Sequence, residues 1–184
     1  ELQKVYEVQG DCDLTAFKSA CSIFGDKIYC IERGPTYTPL FAPNDLNFQA
    51  GISDYALTLI NAPQAWDLTQ GNDSVVIAIS DQNFEITHQD LEGKYLYYDA
   101  TNTAPTTHGT AVAITAAGKT NNGYGLSSIG FNTSLSLYKM NFNEVLAASY
   151  AGADVINISW TSGCFYSQLE QDVMDEVSAN GSFI

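Results

Sequence analysis

Val75-Val76-Ile77-Ala78-Ile79-Ser80-Asp81 is a run of β-branched and small residues that carries no charge until its last position. Such a run, short and without polar alternation, reads as a strand buried on both faces of a parallel sheet. In open α/β sheets the functional crevice lies just outside the carboxyl ends of the strands, so Asp81, where this strand stops, is a candidate for chemistry. Downstream come His88-Gln89-Asp90-Leu91 and then Thr107-His108-Gly109-Thr110, which opens an apolar helical stretch. The chain has two histidines, and both lie in this region.

Working outward, strand and helix patterns alternate. A short helix is predicted around Pro63–Leu68, with Pro near its first turn where a missing N–H costs nothing. Strands follow at Val75–Ser80, Leu135–Lys139 and Asp154–Ser159, with helices after His108 and from about Asn143. The last helix, Ser167 to Asn180, opens on the capping-box pattern Ser167-Gln168-Leu169-Glu170 and is predicted to bury Leu169, Val173 and Val177. Asn180-Gly181 ends it as a C-cap, and Ser182-Phe183-Ile184 reads as the start of a further buried strand. Strands alternating with helices imply α/β architecture with a parallel sheet covered on both faces. Upstream, residues 2–9 read as a strand, Asp13–Phe24 as a helix with Leu14, Phe17, Cys21 and Phe24 on one face, and Lys27–Glu32 as a second strand. Pro35, Pro39 and Pro43 mark residues 34–56 as a linker. The predicted organisation is a small β-α-β piece at 1–33, the linker, and an α/β unit at 57–184.

Composition narrows the function. A formal charge of −14 repels phosphate backbones and disfavours nucleic acid as a partner, while it suits a secreted protein or one that holds cations. No apolar run approaches the ~18 residues of a membrane span. The opening Glu1-Leu2-Gln3-Lys4 has no signal-peptide pattern, and Glu1 reads as an internal start. Cys12, Cys21, Cys30 and Cys164 lack Cys-x-x-Cys zinc spacing; a disulfide among the first three and buried free thiols both remain open. Gly118-Lys119-Thr120 is not a phosphate loop, because the glycine needed five residues earlier is Ala113. No Gly-x-Gly-x-x-Gly follows the Val75–Ser80 strand, so a dinucleotide site is unsupported.

Ile60-Asn61-Ala62-Pro63-Gln64-Ala65-Trp66, the strand ending in Asp81, Thr87-His88-Gln89-Asp90-Leu91, His108-Gly109-Thr110 and Ala153-Asp154-Val155-Ile156-Asn157-Ile158-Ser159-Trp160 follow one another in an order that resembles the subtilisin-like serine peptidases. The likeness covers roughly residues 58–184. It implies a partial subtilisin-like three-layer fold, preceded by a small α+β propeptide remnant at 1–33 whose cleavage point lies near the linker. An uncleaved linker implies a zymogen. The family's Gly-Thr-Ser-Met-Ala nucleophile motif is absent from these 184 residues. By resemblance, then, the chain is the N-terminal half of a secreted or cell-surface endopeptidase whose catalytic domain is completed by a missing C-terminal half.

The resemblance assigns Asp81 as orienting acid and His108 as general base, with a polypeptide as substrate. The residue chemistry agrees, since an imidazole exchanges protons near neutral pH and a carboxylate on its other nitrogen holds the tautomer. Gly109 is expected to let the backbone pass closely, and Thr110 to open the helix that fixes the ring. Ser159, Trp160 and Thr161 resemble the edge that pairs with an extended substrate, with Trp160 walling a side-chain pocket. No cofactor is required by this chemistry. A structural calcium is implied at Asp90, with oxygens from Asn121-Asn122-Gly123; His88 reads as structural. Three departures stand out: Asp81-Gln82-Asn83 replaces the family's Asp-Ser/Thr-Gly, Ile114 replaces a helix glycine, and the Tyr98–Thr107 and Met140–Asn143 connections are short. Asn83 is expected to take left-handed angles in place of Gly. With the absent nucleophile, these departures leave a second reading, a catalytically inactive module that binds peptides or a protein through the Ser159–Thr161 edge.

Overall fold

The computed structural model describes residues 8, 10–11, 13–28, 30–33, 41–45, 55–103, 106–163 and 166–184. The chain divides into two compact units, Glu1–Thr38 and Pro39–Ile184.

In the first unit, α1 (Leu14–Cys21) is capped by Asp13, whose carboxylate accepts from the N–H groups of Thr15 at 2.7 Å and Ala16 at 3.0 Å. Those two bonds satisfy donors that a helix start leaves open, and they hold the Asp13 carboxyl below its usual value. The helix stops three residues short of the expected Phe24. A 3-10 turn at Ser22–Lys27 replaces it, broken at Gly25 with φ of +57°. Leu14, Phe17 and Cys21 form the half-buried face, while Phe24 is exposed. Of the strand expected at Lys27–Glu32, Lys27 ends the 3-10 turn and Cys30–Glu32 join no ladder among the described residues, while Tyr29 lies outside them. The strand expected at 2–9 falls almost wholly outside the described residues, as does Cys12; Cys21 and Cys30 are free thiols.

The second unit is built on a parallel sheet. Its elements are α2 (Tyr55–Leu59), α3 (Ala62–Trp66), β1 (Val76–Asp81), β2 (Tyr95–Tyr98), α4 (His108–Ala117), β3 (Ser134–Lys139), α5 (Phe142–Tyr150), β4 (Val155–Ile158) and α6 (Gln168–Ala179). Strand order is β2-β3-β1-β4, with every pair parallel. Two strands join beside β1, which therefore sits inside the sheet, as its β-branched run implies. At the far edge, Phe183 bridges Val155 in parallel: its N–H donates to Asp154 and its carbonyl accepts from Ile156, each at 2.8 Å. A parallel bridge thus forms where the sequence suggests a further strand, but Phe183 is 74% exposed rather than buried.

The pleat sorts β1 onto two faces. Ala78 faces a core with Val145, Ala148, Ile156, Val173 and Val177, from β4, α5 and α6. Ile77 and Ile79 face a second core with Ala113, Ile114, Ala117, Leu135 and Leu137, beneath α4. Helices therefore cover both faces, the three-layer arrangement expected. Asp81, two residues beyond Ile79, falls on the α4 face.

Three local expectations need correction. β2 was not anticipated in the sequence. Leu169 is 70% exposed, so α6 buries only Val173 and Val177 of the expected trio. The capping box is half formed: Ser167 Oγ accepts from Glu170 N–H at 3.3 Å, but the Glu170 carboxylate accepts from Ser162 Oγ instead of returning to the cap. The far end follows the pattern closely. Gly181 at φ +92° allows Gly181 N–H to bond Ser178 and Ser182 N–H to bond Val177, the Schellman arrangement.

Candidate active site

Asp81 is carried to the carboxyl end of β1 and His108 to the first residue of α4. Asp81 is fully buried and its Oδ1 lies 2.8 Å from His108 Nδ1. The imidazole is 56% exposed, so one ring nitrogen is held from below while the rest of the ring meets solvent. Because a carboxylate can only accept, Nδ1 carries the proton and Nε2 keeps a lone pair. Oδ1 accepts a second bond from Gln82 N–H at 2.6 Å. No described residue donates to the buried Oδ2.

The neighbours explain why the pair meets. A Cβ on Gly109 would stand 2.6 Å from the Gln82 carbonyl and 2.7 Å from the Phe84 ring, so only glycine lets α4 approach the end of β1 this closely. Thr110 Oγ1 accepts from Glu85 N–H at 2.8 Å, tying the first turn of the helix to the segment after Asp81. Ile114, where the family has glycine, is buried in the core beneath α4 and is accommodated there. Asn83 does not adopt the left-handed backbone expected of a glycine substitute. Its side-chain oxygen accepts from Phe84 N–H at 2.8 Å and Tyr98 Oη at 3.3 Å, so it works as an acceptor.

A cleft of about 520 Å³ opens over the pair, lined by Asp81, Gln82, Thr106, His108, Met140, Ser159 and Trp160. Trp160 is fixed: its indole N–H donates to Ser80 Oγ at 3.0 Å, and Ser80 Oγ donates to the Lys139 carbonyl at 3.1 Å. The Phe142 ring meets it edge-on at 4.9 Å. Ser159 Oγ accepts from Asn157 Nδ2 at 2.7 Å. Thr161 is exposed and does not line the cleft; its Oγ1 accepts from Gly163 N–H.

Residues 72–183 match the profile of the Subtilase family. The chain belongs to the subtilase family. Among curated relatives, this subtilase chain is 32% identical to Halolysin of Haloferax mediterranei over 158 residues, 73% of this chain and 30% of that protein. It is 31% identical to Thermitase of Thermoactinomyces vulgaris over 150 residues, 72% of this chain and 53% of that protein. It therefore spans between about a third and a half of those relatives. Among solved structures, the fold resembles MycP1 with its N-terminal propeptide removed, at TM-score 0.57 and 17% identity over 70% of this chain and 46% of that one. It also resembles the Prenylagaramide maturation protease PagA, at TM-score 0.56 and 17% identity over 66% and 48%.

Away from the cleft, two buried carboxylates of the subtilase chain grip one loop. Asp90 Oδ1 accepts from Asn122 Nδ2 at 2.8 Å and Oδ2 from Leu126 N–H at 3.4 Å. Asp45 Oδ2 accepts from the N–H groups of Asn121 and Asn122, and its Oδ1 from Ser127 Oγ. Asn44 adds bonds to Asn121 and Gly123. Phe41–Asp45, read from sequence as linker, is thus part of the second unit. Sequence reasoning missed Asp45, whose only signal is a carboxylate after Pro43-Asn44. His88 Nδ1 accepts from Asp90 N–H at 3.2 Å, which fits its structural reading.

Proposed function

We propose that this chain forms the Asp-His half of a subtilisin-like serine endopeptidase that acts outside the cell. The single observation that carries the reading is the 2.8 Å contact between buried Asp81 and the half-exposed His108 at the floor of an open cleft. In the reaction, a serine hydroxyl carried by a segment outside these 184 residues attacks the scissile carbonyl. His108 Nε2 takes the hydroxyl proton and returns it to the leaving amine; Asp81 holds the tautomer and stabilises the imidazolium. Ser159 and Trp160 wall the cleft where an extended polypeptide lies, and water then hydrolyses the acyl-enzyme ester, releasing the carboxylic acid product and the free serine. The extracellular location rests on relatives such as the extracellular serine protease Nep of Natrialba magadii, and on the strongly acidic composition.

The 184-residue chain alone is expected not to hydrolyse peptides. In the complete protein, Asp81→Asn is expected to lower kcat for a fluorogenic peptide by about 10⁴-fold and His108→Ala by about 10⁶-fold. Turnover by the isolated chain that disappears on His108→Ala would overturn the assignment of the nucleophile. Undiminished turnover by the His108→Ala complete protein would overturn the pair itself.

A structural calcium is part of the same reading. Asp45 and Asp90 are buried around one loop, and no described Lys or Arg lies within ion-pair distance of either. Two buried carboxylates without a cationic partner are costly, and hard oxygens from Asp45, Asp90, the Asn122 side chain and loop carbonyls are the donors calcium takes. The described residues hold no group of three acidic, histidine or cysteine side chains, so carbonyl oxygens would complete the set. The ion supplies rigidity to the loop and takes no part in the proton transfers.

A further inference from the structure

The catalytic acid is held by a residue that belongs to none of the recognised motifs. Asn102 is buried, and its Nδ2 donates to the backbone carbonyl of Asp81 at 3.3 Å across 21 positions of sequence. That carbonyl and the Gln82 N–H belong to one planar peptide group. The Gln82 N–H end of the plane donates at 2.6 Å to Asp81 Oδ1, the same oxygen that holds His108 Nδ1 at 2.8 Å. Rotation of this peptide would withdraw the N–H from Oδ1 and leave the carboxylate free to turn, so whatever fixes the carbonyl end also fixes the acid.

Asn102 is itself delivered by a locked turn. Its N–H donates to the Asp99 carbonyl at 3.0 Å. The Asp99 carboxylate accepts from Thr101 N–H at 2.9 Å and Thr101 Oγ1 at 2.7 Å, and Asp99 N–H bonds the Leu137 carbonyl on β3. Lys139, opposite Asp81 in the ladder, donates Nζ to Thr101 Oγ1 at 2.7 Å and lies 3.3 Å from Asp99 Oδ2, with Glu144 at 3.8 Å. Because Asn102 is itself buried, its side-chain amide bond to Asp81 has little competing water, which makes it stiff.

We propose that Asn102 is a positioning residue for the catalytic acid: its side-chain amide, presented by the turn that Asp99, Thr101 and Lys139 lock, clamps the Asp81–Gln82 peptide and so keeps the carboxylate on the His108 ring. The proposal rests on the reading of Asp81 and His108 as the catalytic pair.

Ring ¹⁵N shifts of the complete protein, with the His108 and His88 signals assigned by substitution, report the tautomer of His108, with His88 as an internal reference, and a backbone spectrum reports the Gln82 amide proton. Wild type is expected to hold the Nδ1–H tautomer, and Asp81→Asn to move it toward Nε2–H. Asn102→Ala is expected to move His108 the same way and to shift the Gln82 amide, with His88 unchanged. A purely structural role for Asn102 would lower Tm and leave the His108 tautomer alone. If Asp81→Asn moves His108 and folded Asn102→Ala moves neither His108 nor Gln82, the positioning role is overturned and the pair stands. If Asp81→Asn itself has no effect, the pair falls and the proposal with it. Should Asn102→Ala not fold, hydrogen exchange of the Asn102 side-chain amide in wild type decides: protection supports the clamp, and exchange at the rate of a free amide overturns it.

Discussion

Asp99 shows how much of the site's surroundings a single carboxylate organises. Burial pushes its carboxyl up, but the Thr101 hydroxyl and N–H, with Lys139 beside them, outweigh that and hold it below the usual value. A carboxyl depressed in the folded chain binds protons less readily than in the unfolded one, so its contribution to stability is complete above about pH 4 and is lost as pH falls through the lower folded value. Asp99→Asn is therefore expected to lower Tm at pH 7 and to narrow the gap from wild type as the buffer is taken toward pH 2; a gap constant across that range would contradict the ion-paired turn. Asp81 and His108 were legible in the sequence because each ends or begins a strongly patterned element. Asn102 and Asp45 were not, because a lone Asn in a turn and a lone Asp after Pro-Asn are also the ordinary furniture of loops, and only tertiary contact distinguishes them. Asn83 was misread for a related reason: tolerance of left-handed angles is a capacity of the residue type, and here its amide found acceptor work instead.

At the scale of elements, β1 and β4 could be read from short β-branched runs and β3 from the leucines and tyrosine before Lys139, and α4, α5 and α6 from helical periodicity. β2 could not. Tyr95-Leu96-Tyr97-Tyr98 lacks alternation, and the ladder to β3 shifts register between Tyr95 and Tyr97, leaving Leu96 unpaired and exposed at the sheet edge. A bulge breaks the period-two signal on which strand reading depends, while also making the edge a poor template for another chain. Leu169 was misplaced because it sits one position into α6, before the helix reaches the core that Val173 and Val177 fill. The 121–127 loop is gripped by Asn44, Asp45 and Asp90, which reach it from outside. Removing calcium with a chelator is expected to lower Tm by several degrees, with Asp90→Asn abolishing the dependence on the ion. An unchanged Tm in the presence of chelator would contradict the calcium assignment.

For the whole molecule, the α/β unit was legible, and with it the meeting of Asp81 and His108. The parallel sheet, the two helical layers and the Asp-His pair follow from motifs that span roughly residues 58–184, and the family match over residues 72–183 agrees. The N-terminal unit was far less legible, since its helix is short, its glycine breaks the run, and no sharp motif orders it. The proposed function requires a serine for Asp81 and His108 to activate. The most direct measurement is to label the complete protein with a fluorophosphonate and map the modified residue by peptide mass spectrometry. The expected result is one labelled serine in a peptide outside residues 1–184, with labelling lost in His108→Ala. A labelled serine within residues 1–184, or labelling that survives His108→Ala, would contradict it.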